Sequence, residues 1–290
     1  MVLFLLCKFV LASNSIILGG KTNQKIIFTF WEPHENIPGY LLLCIKTWKI
    51  YFPEYDIIIL DYKSIKKYID DELFSEIICK QMPLPIQADA IRVALLKKYG
   101  GIWMDVDTII TNRQFIRGLD KYELVMIGDK LTKSQHIGFI FAQANSTILS
   151  EWLNKIVINI KYFRKMKSMS NKLLTNISFN YLGNGIIDPI VRNITNKTFF
   201  RLDKYEINAL PELKFFENSS LNNIQKYKLF YFEKREPKTI LNKTKGIILL
   251  HNSWTPLNYK KLSENEFLKQ DILLAKLLSS ILYKKNNVNV

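Results

Sequence analysis

The chain has 290 residues, of which 48% are hydrophobic, and a formal charge of +15. That suits one sizeable globular domain, and the basic balance points to polyanionic partners: nucleic acid, an anionic membrane face or phosphorylated small molecules. Cys7, Cys44 and Cys79 are odd in number and outside any C-x-x-C, which argues against a disulfide scaffold and for a reducing, cytoplasmic setting.

Residues 1–22 form an apolar extension interrupted by Lys8 and Ser13-Asn14-Ser15, too short and broken for a membrane span. KIIFTFW (25–31) predicts a first buried strand and GYLLLCIKTWKIYF a helix stopped near Pro53. YDIIILD predicts a second strand and KSIKKYIDDELFSEI a helix. MPLPIQADAIRVALLKKYGG predicts a helix opened by prolines and stopped by Gly100-Gly101. IWMDVDTII reads as one strand or its end, YELVMIG and IGFIFAQ as two more, and STILSEWLNKIVINI as a helix. Residues 161–235 are harder to read. GIILLHNSW predicts a late strand entering a loop. Residues 261–290 predict a basic amphipathic closing helix, with Ser263 and Glu266 as a capping box and Leu274, Leu277, Leu278 and Ile281 as an apolar stripe. The alternation predicts an α/β sheet, parallel at first, in a main domain over residues 23–260.

Asp105 and Asp107 stand out in KKYGGIWMDVDTII. Two carboxylates at the end of an apolar run repel each other unless a cation lies between them or one is protonated. Open α/β sheets place ligands at the carboxyl ends of their strands. Hard divalent cations held by one or two carboxylates usually also hold substrate phosphates. Such an ion would explain clustered acids in a basic chain. Asp89 and Arg92, three apart, share one face of the preceding helix, with Ile86, Ala90 and Val93 on another.

The block QADAIRVALLKKYGGIWMDVDTII resembles the sugar-transferase region containing the DXD motif, glycosyltransferase family 32. Asp89, Arg92, Gly100, Gly101, Trp103, Asp105 and Asp107 match its spacing. KIIFTFWEP, TWKIYFPEYDIIILD, HIGFIFAQANSTIL and LLHNSW extend the resemblance over roughly residues 25–255. Capsular polysaccharide enzymes and the large clostridial glucosylating toxins share this core.

The resemblance implies a GT-A type nucleotide-sugar-binding fold, with a Rossmann-like mixed sheet flanked by helices. It implies metal-dependent, retaining transfer from a nucleotide-diphosphate sugar, UDP-sugar favoured, with Mn²⁺ or Mg²⁺ as cofactor. The acceptor would be a glycan or glycolipid in surface polysaccharide, capsule or lipopolysaccharide synthesis. By matched position, Trp31 would stack on the nucleobase, and Asp89 and Arg92 would hold the donor sugar. Asp105 would contact ribose and sugar and support the metal; Asp107 would ligate it. Arg92, Asp105 and Asp107 form the expected catalytic set. His251, Ser253 and Trp254 would close the site, with His251 as a further metal ligand. The family often places that His further ahead of the Trp, whereas HNSW is compact. YLGNGIIDP offers Asn184 and Asp188 as acceptor-side contacts, while His34 and His136 read as loop residues.

Breaking a sugar–phosphate bond builds negative charge on the leaving diphosphate, which a metal ion stabilises. No carboxylate recommends itself as a covalent nucleophile, so attack from the leaving-group face is expected. The lysines of the closing helix and its leucine stripe suggest attachment to an anionic membrane surface, at the cytoplasmic face. Two alternatives lie outside the family. MDVDTI also fits the D-x-D-x-T pattern of haloacid-dehalogenase-type phosphatases, although GDKLTKSQ lacks their second acid. A nucleic-acid-binding protein would explain the charge but not the acids.

Overall fold

The computed structural model describes residues 25–169, 177–192, 194 and 198–283. The expected extension over residues 1–22, and Lys284 and Lys285, lie outside them. Strand β1 (Ile26–Phe30) is built of β-branched and aromatic residues, and its side chains alternate between two cores: Ile27 joins one and Phe28 the other. Helix α1 (Gly39–Tyr51) carries the chain to β2 (Asp56–Leu60), which pairs parallel to β1. The helix expected over KSIKKYIDDELFSEI is broken. A 3₁₀ turn (Ile65–Lys67) is followed by α2 (Asp71–Ile77) because the Asp70 side chain accepts the Leu73 N–H at 2.8 Å and restarts the helix as its cap.

Helix α3 (Leu84–Tyr99) ends at Gly100 and Gly101, whose positive φ values of 67° and 92° turn the chain sharply into β3 (Gly101–Met104). IWMDVDTII is not one strand. After β3 the chain turns through Asp105, Val106 and Asp107, and β4 (Thr108–Ile110) belongs to a second sheet. Then come β5 (Leu124–Gly128), β6 (Gln135–Ala142), α4 (Thr147–Met169), α5 (Asn184–Arg192) and β7 (Phe199–Asp203). The chain finishes with α6 (Pro211–Phe215), α7 (Asn223–Tyr231), α8 (Lys238–Lys243), β8 (Ile247–Leu249), α9 (Leu257–Lys260), α10 (Glu264–Leu268) and α11 (Leu273–Tyr283).

The main sheet runs β2-β1-β3-β6-β5-β7. All its strands point the same way except β6, which is antiparallel to both neighbours. The carboxyl ends of β1, β3 and β5 therefore meet the start of β6 along one edge. Helices α2 to α5 cover one face; α1, α7, α10 and α11 pack on the other, with the small antiparallel sheet β4-β8. This is the expected mixed α/β sheet between helical layers.

Ser263 and Glu266 form the expected capping box, but it caps only the five-residue α10. Leu274, Leu277, Leu278 and Ile281 lie in the core formed with α1 and α7, at most 3% exposed. The stripe is consumed by packing, so it is not free to enter a membrane, as the sequence had suggested. Among the described residues, no helix is long and apolar enough to cross a bilayer.

Candidate active site

A cleft of about 440 Å³ opens along the edge where β1 and β3 end and β6 begins. Trp31, one residue beyond β1, forms part of its wall, and the next bond but one along the chain, Glu32–Pro33, is a cis peptide. From α3, Asp89 and Arg92 enter the cleft with side chains only 6% and 5% exposed. Arg92 is 3.1 Å from Asp89 and 3.4 Å from Asp105, and also donates to the Ile137 carbonyl. Its guanidinium lies 5.1 Å from the centre of the Trp103 ring, whose Nε1–H donates to Asp105 Oδ1 at 2.8 Å. Asp105 is thus clamped by a buried cation and an indole while its side chain stays 37% exposed.

Asp107 is tied from the other side. Its Oδ2 accepts the Asn252 main-chain N–H at 2.8 Å, and its carbonyl accepts the Leu250 N–H at 3.0 Å. The β4-β8 pairing sets this contact, because Thr108 faces Leu249 and the flanking residues extend the ladder. Burial and the neighbouring Asp105 push the Asp107 carboxyl up to about 7, against the pull of the Asn252 amide. Burial likewise pushes Asp89 to about 7, opposed by Arg92. The His136 and His251 rings face each other with centres 6.1 Å apart, and burial pushes each imidazole down to about 4, so both are neutral at pH 7.

Trp31, Asp89, Arg92, Asp105, Asp107, Asn184, His251 and Ser253 all line the one cleft. Two expected contacts do not. Asp188 Oδ1 accepts the Gln135 N–H at 2.9 Å and an Asn184 amide N–H at 3.2 Å, fastening α5 to the start of β6. Trp254 lies behind the wall, its ring 3.9 Å from that of His251 and 5.7 Å from that of Tyr227. Asn184 reaches the cleft, although its Nδ2 is spent on the Gln135 carbonyl at 2.6 Å as well as on Asp188.

The expected ligand set of Asp105, Asp107 and His251 is not a ready metal cage. Among the described residues, no three His, Cys, Asp or Glu side chains gather to hold an ion, and the His251 ring packs on Trp254 and faces His136. What fits is a hard cation held by the two carboxylates and completed by substrate phosphates and water. A buried carboxyl pushed up by a second acid is the environment such an ion would relieve.

His136 is not a loop residue: it occupies the second position of β6 and forms part of the cleft wall. Glu32, Gln135, Phe179 and Asn252 also line the cleft without having been singled out. Asn252 was within reach, since it sits between His251 and Ser253 in HNSW. Phe179 had no signal, because it lies in the stretch whose elements the sequence did not reveal.

Residues 9–244 match the family described as capsular polysaccharide synthesis protein. The chain belongs to this family. Membership agrees with the expected glycosyltransferase class rather than with a phosphatase. Among solved structures, the chain is similar to the PaToxG glycosyltransferase at 15% identity and a TM-score of 0.42, over 89% of this chain and 86% of that one. It is similar to the glycosyltransferase GlyE of Streptococcus pneumoniae TIGR4 at 10% identity and a TM-score of 0.43, over 92% of this chain and 64% of that one. A third is a glycosyltransferase involved in glycosylation of the major capsid of PBCV-1, at 14% identity and a TM-score of 0.37, over 64% of this chain and 87% of that one. A comparison with curated proteins finds no match.

Proposed function

We propose that this family member transfers a sugar from a nucleotide-diphosphate sugar, UDP-sugar favoured, to a glycan or glycolipid acceptor in surface polysaccharide synthesis, with retention at the anomeric carbon. The observation that carries the reading is the constellation at the end of β3. Buried Arg92 is shared by Asp89 and Asp105, and two residues on lies Asp107, a carboxyl forced up by burial and by its neighbour.

Trp31 offers a flat apolar face at the cleft wall for a nucleobase. Asp89 and Arg92 present an acceptor and donors to sugar hydroxyls, and their mutual ion pair fixes both before substrate arrives. Asp105 and Asp107 would hold a divalent cation; when bound, it supplies Lewis-acid stabilisation of the leaving diphosphate. The cleft carboxyl of Asp89 is committed to Arg92, which disfavours it as a covalent nucleophile and favours attack by the acceptor hydroxyl on the leaving-group face. The neutral imidazoles of His136 and His251 can each offer one N–H to an anionic ligand.

A hydrolysis screen across UDP- and GDP-sugars with Mn²⁺ tests the reading. Donor cleavage with one nucleotide class, abolished by EDTA and by Asp107→Asn, is expected. Full activity in EDTA would sink metal dependence, and no cleavage or transfer with any nucleotide sugar would sink the donor assignment.

A further inference from the structure

Tyr40, in the first turn of α1, is fully buried, yet its hydroxyl is committed to a segment more than two hundred residues away. The oxygen stands 2.6 Å from Asn252 Oδ1 and 3.3 Å from Thr255 Oγ1. The Tyr227 hydroxyl lies 3.1 Å from the same Thr255 oxygen. The Tyr40 ring is held by stacking on Phe267, with centres 5.5 Å apart. A phenol has one proton, and 2.6 Å is short even for an O–H···O bond, whereas an amide nitrogen would stand near 2.9 Å. Tyr40 therefore donates to the carbonyl oxygen of the Asn252 side chain. An amide carries its oxygen and its NH₂ on one carbon, so holding the oxygen fixes the position of the NH₂ as well. With the oxygen held by Tyr40, the NH₂ is the group of this side chain left for a ligand in the cleft, whose wall Asn252 helps to form. The main-chain N–H of the same residue holds Asp107 Oδ2.

We propose that Tyr40 is a positioning residue that fixes the Asn252 amide, and that the Asn252 side-chain NH₂ is a hydrogen-bond donor to the oxygens of a nucleoside diphosphate in the cleft. The ligand rests on the nucleotide-sugar reading; the orientation rests on the hydroxyl network alone. Removing the Tyr40 hydroxyl frees the amide to turn over and loosens the turn whose backbone restrains Asp107. A carboxylate in place of the amide keeps an oxygen for Tyr40 but presents an acceptor where a donor is needed.

Two measurements separate these roles. Hydrogen exchange across residues 250–255, without ligand, compares wild type with Tyr40→Phe. Exchange at Asn252 is expected to quicken about tenfold while the overall unfolding midpoint changes little, the loss of one buried hydrogen bond. Should Tyr40→Phe fold poorly, Asn252→Ala removes the acceptor from the cleft side and gives the same readout. Calorimetry with UDP and with GDP, each with Mn²⁺, compares wild type with Asn252→Asp. Affinity for the nucleotide that wild type binds is expected to fall at least about tenfold. Unchanged exchange overturns the positioning role of Tyr40. Unchanged affinity overturns the donor role of Asn252. If wild type binds neither nucleotide, the nucleotide-sugar reading and the donor role fall together, while the exchange arm still decides Tyr40.

Discussion

Arg92 stands between Asp89 and Asp105 almost out of water, so its removal leaves acids facing each other in a poorly solvated place. Arg92→Ala is expected to abolish donor cleavage and to lower stability by about 3 kcal/mol or less, since Asp89 can take up a proton instead of staying charged. Urea midpoints together with the hydrolysis assay check both halves. Asp107→Asn should behave differently. Burial already opposes its charge, so the variant should unfold at the wild-type urea concentration or higher while donor cleavage is lost. A fall in stability would mean that Asp107 serves the fold first. Glu212 provides a pH test away from the cleft. Burial holds its carboxyl at about 7, and the Tyr231 hydroxyl donates to its Oε2 at 3.1 Å. A carboxyl raised in the folded state contributes stability in full below its unfolded value of about 4.3, and loses it as pH rises through the folded value. Against Glu212→Gln, which does not titrate, wild type should therefore lose stability between about pH 4.5 and 7, by up to roughly 3 kcal/mol. A difference that stays flat over this window would show that Glu212 titrates normally. Single residues were legible where they share a short stretch: Asp89, Arg92, Asp105 and Asp107 lie within nineteen positions of one another. Tyr40 and Asn252 were not, because only the tertiary fold joins them.

At the scale of elements, the segment entering α5 presses on the site from outside the main sheet. A Cβ on Gly183 would come within 2.5 Å of Asp89 Oδ2 and 2.7 Å of the Ile137 side chain. Gly183→Ala is expected to push Asp89 off Arg92 and to cut donor cleavage at least about tenfold, with a smaller fractional loss in stability. Normal cleavage by the variant would mean that the segment yields and Asp89 does not depend on it. The same element shows where sequence reading stops. YLGNGIIDP drew attention through Asn184 and Asp188, but their main work is to fasten α5 to β6, a pairing across about fifty residues with no local periodicity. The strands and α3 were legible because their apolar patterns are strong and their ends carry proline or glycine. The break before α2 was missed because Asp70 is equally at home inside a polar helix face and at its cap. The split of IWMDVDTII was hidden by the continuous apolar run on both sides of the acids; only the partner strand β8, far along the chain, separates β4 from β3.

Across the whole molecule, the closing helices belong to the core. Leu278 is fully buried on α11, so Leu278→Ala should cost about 2–5 kcal/mol, measurable as a lowered urea midpoint. A cost below about 0.5 kcal/mol would indicate that α11 is detachable. The layer order was legible from the alternation of elements, but the role of the stripe was not, because a leucine face looks the same in sequence whether a core or a lipid covers it. The β4-β8 pairing has a consequence in time. Ribosomes deliver the chain from the amino end, and early segments begin to fold before later ones exist. All six strands of the main sheet, and the acidic turn itself, are made before β8. The backbone donor that Asp107 requires arrives 145 residues after it. A growing chain can thus bury most of its sheet while Asp107 still has no Asn252 to hold it, so the acidic turn is completed only after β8 and the Asn252 turn have been made.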